Sequence, residues 1–457
     1  MDGSGASMEP WLAGNAPPPQ RMGWTLKRPD GRQNALPGII AAAYEQPVVR
    51  QTSPMGPYYV VSHPDGVRRV LVDNVANYPK TPMEQRFFAA VFGNGLISSD
   101  GETWRTHRRT MAPSFSPPSV AAYAPGIAEE AMAFRDRWDA APAGEAINVA
   151  RDMSRLTLAI ISRAMFSTDG VALTGVVERA ITGALAGMKI GLADFIPGIG
   201  GIVMAVRRRR MAHVFAELDA VTARLIAERE TSPRGEDLLA RLIEARDAED
   251  GSRMTAAEVR DQVVTIFLVG HETSAVALAW TWYLLSQHPD VEARLHGELD
   301  AVLGGRAPTY EDLPRLAYTR MVIEEAMRLY PPAPGTSTRV ALKTDEVCGT
   351  AIPAGSPIVV APWITHRHRA IWDRPERFDP GRFAKDAPER PRFSYLPFGA
   401  GPRVCIGASL AMTELVIILA TLAQRYRLRL PAGHVVELQH QITLRPKGGL
   451  PMIVERR

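Results

Sequence analysis

The chain has 457 residues, 46% of them hydrophobic and 22% charged, which is enough apolar material for a large core and, at ~150 residues per domain, a soft expectation of about three domains. Two cysteines, Cys348 and Cys405, exclude a disulfide-stapled framework and point to an intracellular, cytoplasmic setting. A formal net charge of +4 suits an acidic protein partner but is too small and too dispersed to argue for nucleic acid.

The opening stretch MDGSGASMEPWLAGNAPPPQ is rich in Gly, Pro and Ala. No basic segment leads into an apolar run there, so no secretory signal is expected. Residues 1–50 read as a Pro/Gly-rich lead into one unit spanning 51–457. YYVVSH (58–63) and GSPIVVAPWI (355–364) are β-branched and aromatic, and read as strands. Most of the remainder has helical period. The stretch IGLADFIPGIGGIVMAV (190–206) has low charge, but Asp194, Pro197 and four glycines argue against a membrane-spanning helix. It reads as a mobile lid. RRRR (207–210) reads as a solvated helix face.

TAAE (255–258) is a capping box ahead of an apolar run that continues to His288, just before Pro289. More than thirty helical residues span ~50 Å, so this helix crosses the molecule. Its middle holds GHETS (270–274). Gly270 costs about 1 kcal/mol against Ala in a helix. Glu272 brings a carboxylate into an apolar setting, and Thr273 can bond back to an i−4 carbonyl. Several local rules broken together suggest a site. The plainer reading is close packing at Gly270 with Glu272 reaching a surface.

In VIEEAMRLYPPAP, Glu325 and Arg328 share a helix face at i, i+3, and the helix stops before Pro331. If the pair is buried it needs further partners, and Arg377 in PERFDP is a candidate. His366 and His368 in THRHRA read as part of a strand-like segment facing solvent or a propionate-like anion. FGAGPRVCIG (398–407) surrounds Cys405 with glycines and leads into an apolar helix, ASLAMTELVIILATLAQRY. No histidine is local to serve as a base, and no Cys/His spacing suits zinc. A disulfide to Cys348 is possible but unmotivated. A thiolate bound to a bulky cofactor suits the glycines, and the following helix N-terminus would stabilise the sulfur anion.

The loop resembles the heme-binding loop of the cytochrome P450 superfamily, F-x-x-G-x-x-x-C-x-G, at Phe398, Gly401, Cys405 and Gly407. EAMR (325–328) resembles its E-x-x-R, with Arg377 in PERF as the third member. GHET resembles its oxygen-activation segment, with Val269 standing where Ala or Gly is usual. WRTHR (104–108) resembles the W-x-x-x-R of a heme-contacting helix. The match runs from about residue 55 to the C-terminus.

The resemblance implies a mainly α fold with small β-sheets and heme b between the long central helix and the cysteine-loop helix. Cys405 is then the axial thiolate ligand, which favours O–O cleavage. Phe398, Gly399 and Gly407 would shape the loop around the cofactor, with Gly401. Arg403, Trp104, Arg108 and Arg339 would reach its propionates, and Gly270 would lie over it. Thr273 and Glu272 would be catalytic, relaying protons toward oxygen. Glu325, Arg328 and Arg377 would be structural.

By position in the family, the substrate pocket would draw on Phe87, Phe88 and Val91 in the loop before the heme-contacting helix, and on Phe267 with Gly270. Gly335, Thr336, Ser337 and Ile442 complete the set. The implied activity is monooxygenation of a hydrophobic, lipid- or terpenoid-like substrate with O2. Diversion to desaturation or coupling, peroxide-driven oxidation, or a non-enzymatic heme sensor are the alternatives. The chain ends 52 residues after Cys405 with no flavin or ferredoxin domain in view. A separate ferredoxin or flavodoxin-type donor with its reductase is therefore implied, and Arg105 and Arg109 are candidate docking charges.

Overall fold

A computed structural model of the chain describes residues 41–53, 56–140, 144–166, 237–440 and 442–457, with scattered positions between 206 and 229. The expected lid at 190–206 lies outside the described residues but for Val206, as does RRRR but for Arg209, and of Val91 only the backbone is described. The principal helices are α1 (Pro82–Phe92), α2 (Gly101–Met111), α3 (Pro117–Asp139), α4 (Val149–Phe166), α5 (Ala256–Gln287), α6 (Pro289–Leu303), α7 (Ala317–Leu329) and α8 (Ala408–Ala423). A four-stranded sheet contains β1 (Val48–Ser53), β2 (Gly56–Val61), β3 (Arg339–Val340) and β4 (Pro357–Val360) in the order β1-β2-β4-β3, with β2 and β4 parallel. A C-terminal hairpin pairs β5 (Leu438–His440) with β6 (Leu444–Pro446).

α5 is the axis. Its capping box forms as the sequence predicts: the Glu258 amide donates to Thr255 Oγ1 at 3.2 Å, and the Thr255 amide to Glu258 Oε2 at 2.8 Å. By length and composition it could cross a bilayer, but 72% of its most apolar window is buried against α4, α7, α8 and neighbouring elements, the mark of a core helix. α8 packs on α3, α5 and α7 together, which is why its sequence is apolar nearly all round.

Three local expectations need correction. The strand in GSPIVVAPWI stops at Val360, because Pro362 starts a short helix, Pro362–Thr365. His366 and His368 are buried rather than solvent-facing; His366 bridges the Arg328 carbonyl (3.2 Å) and the Leu396 amide (2.7 Å). Phe87, Phe88 and Val91 lie in helix α1, not a loop, because Thr81 caps it and Pro82 occupies its first turn.

Candidate active site

Cys405 sits at the end of a tight loop. Its amide donates to the Phe398 carbonyl at 2.9 Å, and the Val404 amide to the Gly401 carbonyl at 3.1 Å. Phe398 is half-buried against the main core. Gly401 has φ +71°, and a Cβ there would come within 1.9 Å of the Leu71 carbonyl oxygen. Glycine is therefore required at 401 by the protein's own backbone. At Gly399 a Cβ meets nothing within 4 Å, and at Gly407 only Phe115 at 3.9 Å, so neither is demanded by a close protein approach. Cys405 keeps an accessible face. Burial of its surroundings pushes the thiol pKa up, opposed by the Gly407 amide and the Arg108 charge. A thiol held protonated by burial is a weak nucleophile, whereas a bound cation would strip its proton. Cys348 is unpaired, so no disulfide forms. Among the described residues no three His, Cys, Asp or Glu side chains gather into a metal site.

Arg403 of this loop belongs to a cluster of largely buried cations with Arg339 and Lys80. Arg403 stacks over the Trp104 ring at 4.2 Å and pairs with Asp100. Asp100 also caps α2 and accepts from the Lys80 amide at 2.8 Å. Arg339 is 5% exposed, and its Nε and Nη1 find no hydrogen-bond partner among the described residues; neither does Nη1 of Arg403. Burial, with Arg403 adding to it, pushes Arg339 down to about 10. Burial, then Arg403 and Arg339, bring Lys80 down to about 7. Orphaned guanidinium N–H groups in a depressed cationic cluster are what an anionic ligand would satisfy. Heme propionates fit. Arg108 is engaged otherwise, donating Nη1 to the Val404 carbonyl at 2.6 Å.

On α5, Thr273 Oγ1 donates to the Val269 carbonyl at 2.9 Å, the back-bond its position predicts. Thr265 and Thr281 do the same, so the bond alone does not mark a site. A Cβ at Gly270 would meet only Ile161, at 3.8 Å, so close packing is not what demands glycine there. Glu272 Oε1 accepts from Thr443 Oγ1 at 3.0 Å and pairs with Arg445 Nη2 at 3.1 Å. Ser274 donates to Glu414 Oε2 at 2.7 Å, and burial raises Glu414 to about 8, against that hydrogen bond. Sequence reading missed Lys80, Asp100, Thr443, Arg445 and Glu414. Only Glu414 carried a signal, as the single carboxylate within the otherwise apolar α8.

The Glu325–Arg328 pair is fully buried and bidentate, at 2.6 and 2.8 Å. Arg328 also donates to the carbonyls of His366 (2.9 Å), Pro375 (2.6 Å) and Arg377 (3.0 Å). Glu325 accepts from the Asp379 amide at 2.9 Å and lies 3.4 Å from Arg382 Nε. Arg377 thus contributes its carbonyl while its side chain is exposed; Arg382 is the third charged member.

Among the expected pocket residues, Phe87 and Phe88 meet edge to face at 5.5 Å. Phe267 is 1% exposed in the main core, a core position rather than a wall open to a ligand. Thr336 is tied to Val360 by amide and hydroxyl bonds of 2.9 and 3.0 Å, beside half-buried Ser337 and exposed Gly335. The Leu444 amide donates to the Pro332 carbonyl at 3.0 Å, bringing Ile442 and its hairpin to that turn. The two candidate docking arginines are locally paired, Arg105 with Glu102 and Arg109 with Asp247 and Glu249, which weakens them as free positive charges.

The model of the cytochrome P450 family matches residues 40–451. Cyclooctatin synthase of Streptomyces melanosporofaciens is 38% identical over 419 residues, covering 88% of this chain and 87% of that protein. Cyclooctat-9-en-7-ol 5-monooxygenase of the same organism is 36% identical over 87% of this chain and 86% of its own. Pentalenene oxygenase of Streptomyces avermitilis is 33% identical over 81% of each. The crystal structure of the cytochrome P450DA heme domain superposes with a TM-score of 0.79 at 26% identity over 90% of each chain. Fold, cysteine loop and extent of match agree: the chain belongs to the cytochrome P450 family, whose fold carries heme on a cysteine thiolate.

Proposed function

We propose that this P450 monooxygenase places one oxygen atom from O2 into a cyclic, largely hydrocarbon terpenoid or its mono-alcohol, in the cytoplasm. A separate ferredoxin or flavodoxin-type protein with its reductase supplies the electrons. The observation that carries the reading is Cys405, presented on its loop with an accessible face, in a chain whose Arg339 and Arg403 hold buried N–H groups without partners among the described residues. When bound there, heme on a cysteine thiolate supplies the activation of O2. The chain's own residues do the rest. Arg339 and Arg403 hold the propionates and Phe398 shields the sulfur. Thr273 and Glu272 pass protons inward from the central helix. Relatives named for pentalenene and cyclooctat-9-en-7-ol support the substrate class, as do the aromatic pair on α1 and the mostly apolar candidate wall.

The test has two parts. A carbon monoxide difference spectrum of reduced holoprotein should show the red-shifted thiolate band, and Cys405→His should abolish it; a wild-type band in that variant would remove Cys405 as ligand. Titration with cyclic terpene alcohols should shift the heme spin state, followed by an oxygenated product with donor, reductase and O2. A shift with straight-chain fatty acids only would move the substrate to another class.

A further inference from the structure

The C-terminal hairpin reaches the centre of α5 at one residue. Thr443 immediately precedes β6 and Arg445 lies on it, and both side chains reach Glu272, while Leu444 between them is fully buried. Both meet Glu272, and both converge on Oε1, at 3.0 and 3.1 Å. The pair is half-buried, with Arg445 25% and Glu272 14% exposed, and so is shielded from the solvent screening that makes surface pairs weak. The segment carrying these two residues is itself held. Trp280 Nε1 donates to the Leu444 carbonyl at 2.7 Å, and the Leu444 amide to the Pro332 carbonyl at 3.0 Å. At the hairpin's far end, Lys447 Nζ pairs with Glu437 at 2.7 Å. Glu272 therefore meets one hydrogen-bond donor and one cation carried on a fixed segment rather than on a swinging one.

We propose that Arg445 and Thr443 are positioning residues for Glu272. Through them the C-terminal hairpin sets the delivery of protons past Thr273. The proposal rests on the reading of Glu272 as a proton relay. One hydrogen bond from Thr443 and the Arg445 charge, both at Oε1, hold that oxygen in place and leave Oε2 as the oxygen that takes up a proton from the solvent side and releases it inward. The neighbouring acid cannot substitute. Glu414 meets α5 through Ser274 with no cation paired to it among the described residues, and burial raises its pKa to about 8. The hairpin that holds Glu272 also carries Ile442 beside the turn at Pro332, so seating of a substrate against that tip and orientation of the acid are mechanically linked.

The experiment uses holoenzyme with its electron donor and compares Glu272→Gln, Arg445→Met, Arg445→Lys, Thr443→Val and the Glu272→Gln/Arg445→Met double variant. Product formed and peroxide released are measured per O2 consumed. Backbone hydrogen exchange across 438–446 is followed on the same samples. Arg445→Met should lower the product fraction about tenfold with peroxide making up the balance, Arg445→Lys should restore most of it, and Thr443→Val should cost about threefold. The double variant should resemble Glu272→Gln alone. Exchange across the hairpin should rise about tenfold in both Arg445→Met and Glu272→Gln, since each breaks the same tether. If Arg445→Met does not retain heme, Arg445→Lys and Thr443→Val carry the test at smaller amplitude. Impaired coupling in Glu272→Gln with wild-type coupling in Arg445→Met and Thr443→Val, or additive losses in the double variant, would overturn the positioning role. Wild-type coupling in Glu272→Gln would instead overturn the relay reading, and the inference with it.

Discussion

Two buried clusters of charge in this molecule are built on opposite plans. Around Arg328 the guanidinium is bonded to Glu325 and to three main-chain carbonyls, and Glu325 takes a further amide. Around Arg339 and Arg403, three N–H groups lack partners, and three cations crowd together with depressed proton affinity. At the Glu325–Arg328 pair the first cluster is closed and braces the chain, though Nε of the adjoining Arg382 meets Glu325 only as an ion pair at 3.4 Å. The second is open, with hydrogen-bonding capacity unmet among the described residues, which suits an anionic ligand. Burial alone does not separate structure from function here; completeness of pairing does.

The sharpest way to break this contrast is to delete one charge from each cluster. Arg328→Ala strands the Glu325 carboxylate and should cost about 3–5 kcal/mol of stability, read as a lowered urea midpoint. Arg339→Met removes a buried cation with incomplete pairing. It should leave apoprotein stability unchanged or raised, yet release heme to an acceptor apoprotein about tenfold faster, for a charged hydrogen bond worth about 1.5–3 kcal/mol. If Arg339→Met unfolds the apoprotein as badly as Arg328→Ala, the distinction fails.

Glu414 sharpens the contrast at smaller amplitude, because it is neither ion-paired nor positioned in the open cluster. Its folded pKa of about 8 lies above the ordinary value of 4.5. The folded state therefore holds a proton that the unfolded state has lost across that window, so stability falls as pH rises from about 4.5 to about 8 and levels off above. Glu414→Gln keeps an acceptor for Ser274 and removes the titration. Relative to wild type it should gain up to about 1.4 kcal/mol per pH unit between pH 4.5 and 8, and match it near pH 4.5, in paired thermal melts. A wild-type slope surviving in the variant would assign the pH dependence to another group.

What was legible in the sequence shared one property: the constraint fits within a few consecutive residues. The cysteine loop closes its hydrogen bonds within ten residues, the capping box within four, and Glu325 meets Arg328 on one helical turn. The open cluster was only half legible. Arg403 and Arg339 carried family signals, but Lys80 and Asp100 join them from segments with no pattern of their own. PERF pointed to Arg377 correctly as a position and wrongly as a side chain, because a motif cannot say whether a residue serves through its carbonyl. Phe267 had the same spacing on α5 as a pocket residue would, yet helical period alone does not tell which apolar face meets neighbours. Thr443 and Arg445 stand at the start of a short strand with no pattern of their own, and only the meeting with α5 distinguishes them.

Gly401 carries a consequence for how the molecule comes into being. The carbonyl that excludes a Cβ there belongs to Leu71, some 330 positions earlier in the chain. The cysteine loop is thus not a transplantable module. A fragment starting at α5 would contain every letter of FGAGPRVCIG and lack the wall that shapes it. The loop's shape therefore depends on a segment from the other end of the sequence, and closing so long a separation costs chain entropy that a local loop would not.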